Sequence, residues 1–321
     1  MGHPISRDLG RTRTSTPDRT WLVALAAALW GTDALFRLPL TRDLAPATIV
    51  LSEHLVLVAL TLPWLPRAVR AAVVSCRPRE WAALALIGAG ASALATVLFT
   101  LAFRFGGPIT PVALQKAQPL FAAVAASLVL GERLRLRYGG FLAVALVSAW
   151  LLSFPRPTEV TVSGAAAGSL ALGAAALWAG GTVAGRLVSR RLGFTDVTVL
   201  RFAIGLPAAV VIALVVDQPL LPPASQLPAL VGLALVPGLL ALLLYYRGLG
   251  STPAARATVA ELAFPATAAV VGVTVLGSTL SWSQWLGLCL LAATVAGFAR
   301  HEHRRGRTAV VDREDLAVSV T

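Results

Sequence analysis

Lysine is all but missing from this 321-residue chain: of its 27 basic residues only Lys116 is a lysine, and the rest are arginines. Charged residues amount to 13%, and there are four histidines, two cysteines and one methionine. Each shortage excludes something. So few charges cannot provide a water-facing surface for the two soluble domains that this length would otherwise imply. Cys76 and Cys289 share no motif spacing, so neither a disulfide framework nor a cysteine metal site is expected. The chain contains no HExxH and no GxSxG, and no catalytic residue is assigned. The "HEH" at 301–303 sits in an arginine-rich tail without a second pair of ligands and reads as a chance cluster, so no metal and no cofactor is expected.

What is present is apolar. Hydrophobic residues make up 57% and mean hydropathy is +0.77. The net charge of +12 would raise nucleic-acid binding in a soluble protein, but here the arginines cluster between long apolar runs and carry no interleaved stacking aromatics, so nucleic acid is not an expected partner. The first twenty residues are polar, with four arginines and no small-residue cleavage site after the apolar stretch from Trp21, which argues against a removed signal peptide. "MGHPIS" fits a myristoylation pattern, but the alanine- and arginine-rich composition looks bacterial and makes chance the better reading.

A spanning helix needs about 20 mostly apolar residues. Punctuated at its Pro, Gly and Arg clusters, the chain offers ten: 20–37, 47–65, 81–103, 108–130, 139–154, 164–185, 195–216, 227–246, 254–276 and 282–299. With the N-terminus placed in the cytoplasm, inside segments hold 20 basic residues and outside loops hold four, Arg37, Arg42, Arg104 and Arg156. Positive loops are retained inside, so both termini are expected to be cytoplasmic. Trp21, Trp64, Trp81, Trp282 and Trp285 fall at span ends, where indoles favour the headgroup boundary.

The chain repeats itself. Trp30 matches Trp178 at an offset of 148, which also carries Glu53 onto Arg201; Pro119 matches Pro265, and "VLGERL" (129–134) matches "VLGSTL" (275–280), at an offset of 146. Each half has five spans, so the second copy enters the membrane from the opposite side, a common build for secondary transporters. The expected organisation is a cytoplasmic tail (1–19), a first five-helix repeat (20–155), a second (164–299) and a cytoplasmic tail (300–321). The fold class is all-α integral membrane, ten transmembrane helices as two inverted repeats.

"LWG" (29–31) and "LWA" (177–179) open the two halves, "LRFAIGLPAAVV" (200–211) lies in the seventh span, and a proline at 119 precedes "LGE" ending at Glu132. This pattern resembles the EamA family of the drug/metabolite transporter superfamily over about residues 20–299. Two positions depart from it. Glu53 stands where the family usually has an arginine, and Ser278 where the second copy usually has a glutamate, so no family substrate carries over.

An ionised side chain at mid-membrane costs about 2.5–3.5 kcal/mol on insertion scales. Six such groups balance here: Asp33, Glu53 and Glu261 against Lys116, Arg201 and Arg256. Gln118, Gln115, Pro119 and Lys116 fall within about 160° of a helical wheel, one polar face. Pro119 and Pro265 are expected to free the carbonyls of Gln115 and Glu261. Lysine, unlike arginine, releases a proton readily when buried. Lys116 is therefore expected to pair with Glu53 in the empty site and to bind an acidic group of the substrate, or exchange a proton, in the occupied one; a static ion pair is the alternative. His54, about 100° round the helix from Glu53, reads as a hydrogen-bonded packing group or a titrating one. Glu261 occupies the equivalent of Gln115, and Arg201 can snorkel or join the site. Trp30 and Trp178 are symmetry mates placed to wall an organic substrate or simply to pack. Asp33 and Arg37, four apart, are expected to pair at the outer rim.

The expected function is a secondary transporter of the bacterial inner (plasma) membrane, moving a small polar or amphipathic metabolite by alternating access, with protons as the candidate coupling ion. The alternatives are an integral-membrane enzyme on lipid-linked substrates and a non-transporting scaffold or receptor. Small residues in "GAAAG" (164–168) and "GTVAG" (181–185) favour tight packing within the fold or a homodimer.

Overall fold

The structure is a computed structural model that describes residues 19–106, 109–118, 120–122, 124–125, 136–249, 260–261, 263–297 and 300. Pro119, Glu132, Arg256, the HEH cluster and most of both tails lie outside the described residues. The described residues form helices throughout. In chain order these are α1 (Thr20–Asp43), α2 (Pro46–Ser75), α3 (Pro78–Gly106) and α4 (109–117). Then come α5 (Leu136–Ser153), α6 (Val162–Val188), α7 (Phe194–Val215), α8 (224–249), α9 (Ala263–Thr274) and α10 (Trp282–Gly297). Six of them, α1, α2, α3, α6, α7 and α8, are long and apolar enough to cross a membrane.

Two helices outrun their expected ends. Helix α1 does not stop at Arg37 but resumes at Asp33 after a single turn residue, Thr32, and continues to Asp43. Helix α2 does not stop at Leu65: a 3₁₀ turn at Leu62–Trp64 leads into a further helical stretch, Leu65–Ser75. Pro63 and Pro66 both sit in the first positions of their segments, where a missing N–H breaks no intrahelical bond, so neither ends the helix.

The halves are related in packing as well as in sequence. Helix α3 runs along α6, and its counterpart α8 runs along α1; α4 meets α6 as α9 meets α1; α2 meets α7. Each pair maps onto its mate when the halves are exchanged, which is what a twofold relation between the halves produces. Even an irregularity is repeated: α3 opens into a π-helix at Leu86–Leu94 and α8 at Ala234–Leu240, starting 148 residues apart. Close approach along the seam rests on small residues. Ala167, Ala171, Ala174, Ala175 and Ala179 of α6 are fully buried, and a Cβ on Gly181 would stand 2.5 Å from that of Ala91 on α3, so Gly181 serves packing within the fold. The five tryptophans expected at span ends are all well exposed, from 38% at Trp81 to 71% at Trp282.

Candidate functional site

The intramembrane polar groups do not gather as the even balance of charges implied. They divide into three clusters. The first joins the halves. Helix α4 ends in a 3₁₀ turn, Gln115–Ala117, that holds Lys116 14% exposed, with Nζ 3.6 Å from Oε2 of Glu261 and 4.6 Å from the ring centre of Phe264. The Tyr245 hydroxyl of α8 donates to the other Glu261 oxygen at 2.6 Å, and the Tyr245 ring lies 5.0 Å from that of Trp30 on α1. Lys116 therefore pairs with Glu261 and not with Glu53. At 3.6 Å the ammonium is beyond hydrogen-bond length, so its N–H groups retain capacity for another acceptor.

The carbonyls expected to be free are taken. Gln118 N–H donates to the Gln115 carbonyl, and Phe264 N–H donates to that of Glu261 at 3.1 Å. Where a proline removes the donor four residues on, the backbone tightens to the donor three residues on, and it does so at equivalent points of both halves. The side chain of Gln118 donates to Thr182 Oγ1 at 3.2 Å, which in turn donates to the Trp178 carbonyl. The two symmetry-mate tryptophans meet symmetry-mate rings: Trp178 lies 5.3 Å from Phe99, and Trp30 meets Tyr245, 146 residues after Phe99.

The second cluster contains the Asp33–Arg37 pair that their four-residue spacing implied. Both are buried, Arg37 to 4% exposure, because α1 carries them inside the bundle. The Arg37 Nε donates to both Asp33 oxygens at 2.7–2.8 Å, the two terminal nitrogens grip Glu53 side by side at 3.0 Å each, and one of them also donates to Thr100 at 2.7 Å. Parallel bonds of this kind are the strongest form of the pair. Among the described residues no buried side-chain nitrogen or oxygen is left without a partner. Glu53 is thus committed to Arg37, within the first half.

His54 belongs to the third cluster. Its Nδ1 lies 2.8 Å from the Val50 carbonyl, which can only accept, so Nδ1 carries the proton. Nε2 of the neutral ring then accepts from the Ser92 hydroxyl at 3.0 Å, and the same hydroxyl accepts from Arg201 Nε at 3.2 Å. Arg201 reaches inward to α3 rather than snorkelling. This tight corner depends on Gly205 of the "LRFAIGLPAAVV" stretch: a Cβ there would lie 2.6 Å from Nε2. Ser92, Tyr245 and Phe264 were not read from the sequence. Tyr245 carried a signal, since the offset that equates Gln115 with Glu261 also sets a rare tyrosine, one of three, opposite Phe99.

Two related five-helix halves, with polar side chains from both meeting at their seam, define a multi-pass integral membrane protein. The chain belongs to the EamA-like transporter family, whose model matches it twice, over residues 20–154 and 166–300. A solved structure described only as "Crystal structure of protein" is similar in fold, with a TM-score of 0.58 at 21% identity over 88% of this chain and 97% of that one. No curated protein matches the chain.

Proposed function

We propose that this protein is a secondary transporter of the bacterial inner membrane, moving a small polar or amphipathic metabolite by alternating access, with both termini in the cytoplasm. One observation carries the reading: Lys116 of the first half and Glu261 of the second, residues from equivalent helices, meet as an ion pair across the seam. A contact between halves that rock against each other has to change during the cycle. In the empty site Glu261 and Phe264 hold the ammonium. An acidic group of the substrate then takes the vacant N–H capacity of Lys116, while Glu261 stays bonded to Tyr245 and Trp30 offers an apolar wall. Gln115, Gln118 and Trp178 extend the same surface along α4 and α6. Glu53 serves as a positioning group that ties α1, α2 and α3 together within the first half, while the contact of His54 and Ser92 with Arg201 of α7 also crosses the seam and changes with the cycle.

The pair also supplies a titratable couple for proton coupling, since lysine gives up a proton in a low-dielectric site where arginine does not. Lys116→Arg separates the two roles: it keeps the charge and loses coupling to pH. The direct test is a thermal-shift screen of purified protein against metabolites across pH, because a ligand of the folded state raises apparent stability. Hits are expected to vanish in Lys116→Ala and Glu261→Gln. Shifts that persist unchanged in both variants place the substrate elsewhere.

A further inference from the structure

Helix α2 is longer than a membrane needs. Its 30 residues extend about 45 Å against about 30 Å of hydrocarbon, so the last stretch, Leu65–Ser75, stands at headgroup depth. Trp64, 49% exposed, marks the boundary. The stretch is anchored by one face only: Ala68 and Ala72 are fully buried in an apolar cluster that also holds Leu192, Val199 and Leu200, while Val69 and Val73 are exposed. Along it lies a shallow cavity, largely open to solvent, of about 550 Å³, lined by Pro66, Arg67, Arg70, Ala71, Val74 and Ser75, all from this one stretch.

Two arginines one helical turn apart therefore share a cavity wall with apolar side chains. The nearest counter-charge to Arg67 is Asp196 at 4.0 Å, too long for a hydrogen bond, and the Arg67 side chain is 80% exposed. Arg70 is exposed and has no hydrogen bond or ion pair among the described residues. Leu192 shares an apolar cluster with Ala68 and Ala72, which brings the α6–α7 link to the same end, so among the described residues that end carries exposed Arg77, Arg79, Arg190 and Arg191 as well as Glu80 and Asp196.

We propose that this cavity binds the phosphodiester headgroup of an anionic phospholipid, with Arg67 and Arg70 on the phosphate and the acyl chains running back toward the bilayer core past Pro66 and the exposed Leu60. A free phosphate satisfies the guanidinium pair but leaves the apolar wall uncovered, whereas a lipid covers both. The inference does not rest on the transport reading.

The test measures thermal stability of the purified protein in neutral detergent on titration with phosphatidylglycerol, phosphatidylcholine or inorganic phosphate. Phosphatidylglycerol alone is expected to stabilise. Arg70→Gln should weaken its apparent affinity roughly fivefold and Arg67→Gln/Arg70→Gln roughly 30-fold, following about 1 kcal/mol for each basic residue at a membrane surface. Arg190→Gln removes the same charge at the same end but outside the cavity, and should change affinity by less than about twofold. Equal losses in Arg190→Gln and Arg70→Gln reduce the site to diffuse attraction and overturn the proposal. So does equal stabilisation by phosphatidylcholine or by inorganic phosphate.

Discussion

Replacing Arg37 by methionine removes the hub of the buried network at little cost in volume. The change deletes the paired bonds to Glu53, the bonds to Asp33 and the bond to Thr100, and leaves two carboxylates, each 7% exposed, facing each other without a cation. Removing one partner of a buried ion pair costs about 3–5 kcal/mol, and with two carboxylates orphaned together the upper end, about 5 kcal/mol, is expected. The triple variant Asp33→Asn/Arg37→Met/Glu53→Gln contains no buried charge at this point and should recover at least about 3 kcal/mol of that loss. The assay is reversible unfolding in mixed micelles with increasing dodecyl sulfate, followed by tryptophan fluorescence. An Arg37→Met protein within about 1 kcal/mol of wild type, or a triple variant no more stable than the single one, refutes the view that the network is closed and satisfied.

Ser92→Ala takes the shared hydroxyl from both His54 and Arg201 and is expected to destabilise by about 1–3 kcal/mol in the same assay. Gly205→Ala forces a methyl to within 2.6 Å of His54 Nε2 and should cost a further about 1–3 kcal/mol, most of it relieved when His54 is also made alanine. Lys116→Met and Glu261→Gln, singly and together, should show a coupling of about 1 kcal/mol, modest because both side chains keep some exposure, and no coupling is expected between Lys116 and Glu53. Tyr245→Phe keeps the ring against Trp30 but frees one Glu261 oxygen, so the pH dependence of any ligand-induced stabilisation should shift while the unliganded fold is kept.

The helical, two-repeat design was legible because lipid imposes it locally. A run of apolar residues long enough to cross hydrocarbon has to satisfy its backbone internally, and the repeat offsets of 148 and 146 are visible without any coordinates. Helix ends were less legible. Arg37 looked like a loop residue because a charge usually marks a membrane surface, and its burial requires Asp33 and Glu53 to be brought to it from one and sixteen-residue-distant turns of chain. Pro63 and Pro66 looked like an end to α2 but stand where a helix tolerates proline.

The sequence by itself determined the solvent of this protein, the number and kinship of its halves, and the short roster of ionic groups that a membrane interior has to accommodate, since composition and periodicity answer to local energetics. Partnership among those groups was decided only by tertiary structure. Similar depth made Glu53 the expected partner of Lys116, because helical spacing alone assigns depth and face but not the neighbouring helix. Packing of α9 against α1 and α4, through Gly31 set against the backbone of Phe264, delivers Glu261 to Lys116 and leaves Glu53 to Arg37.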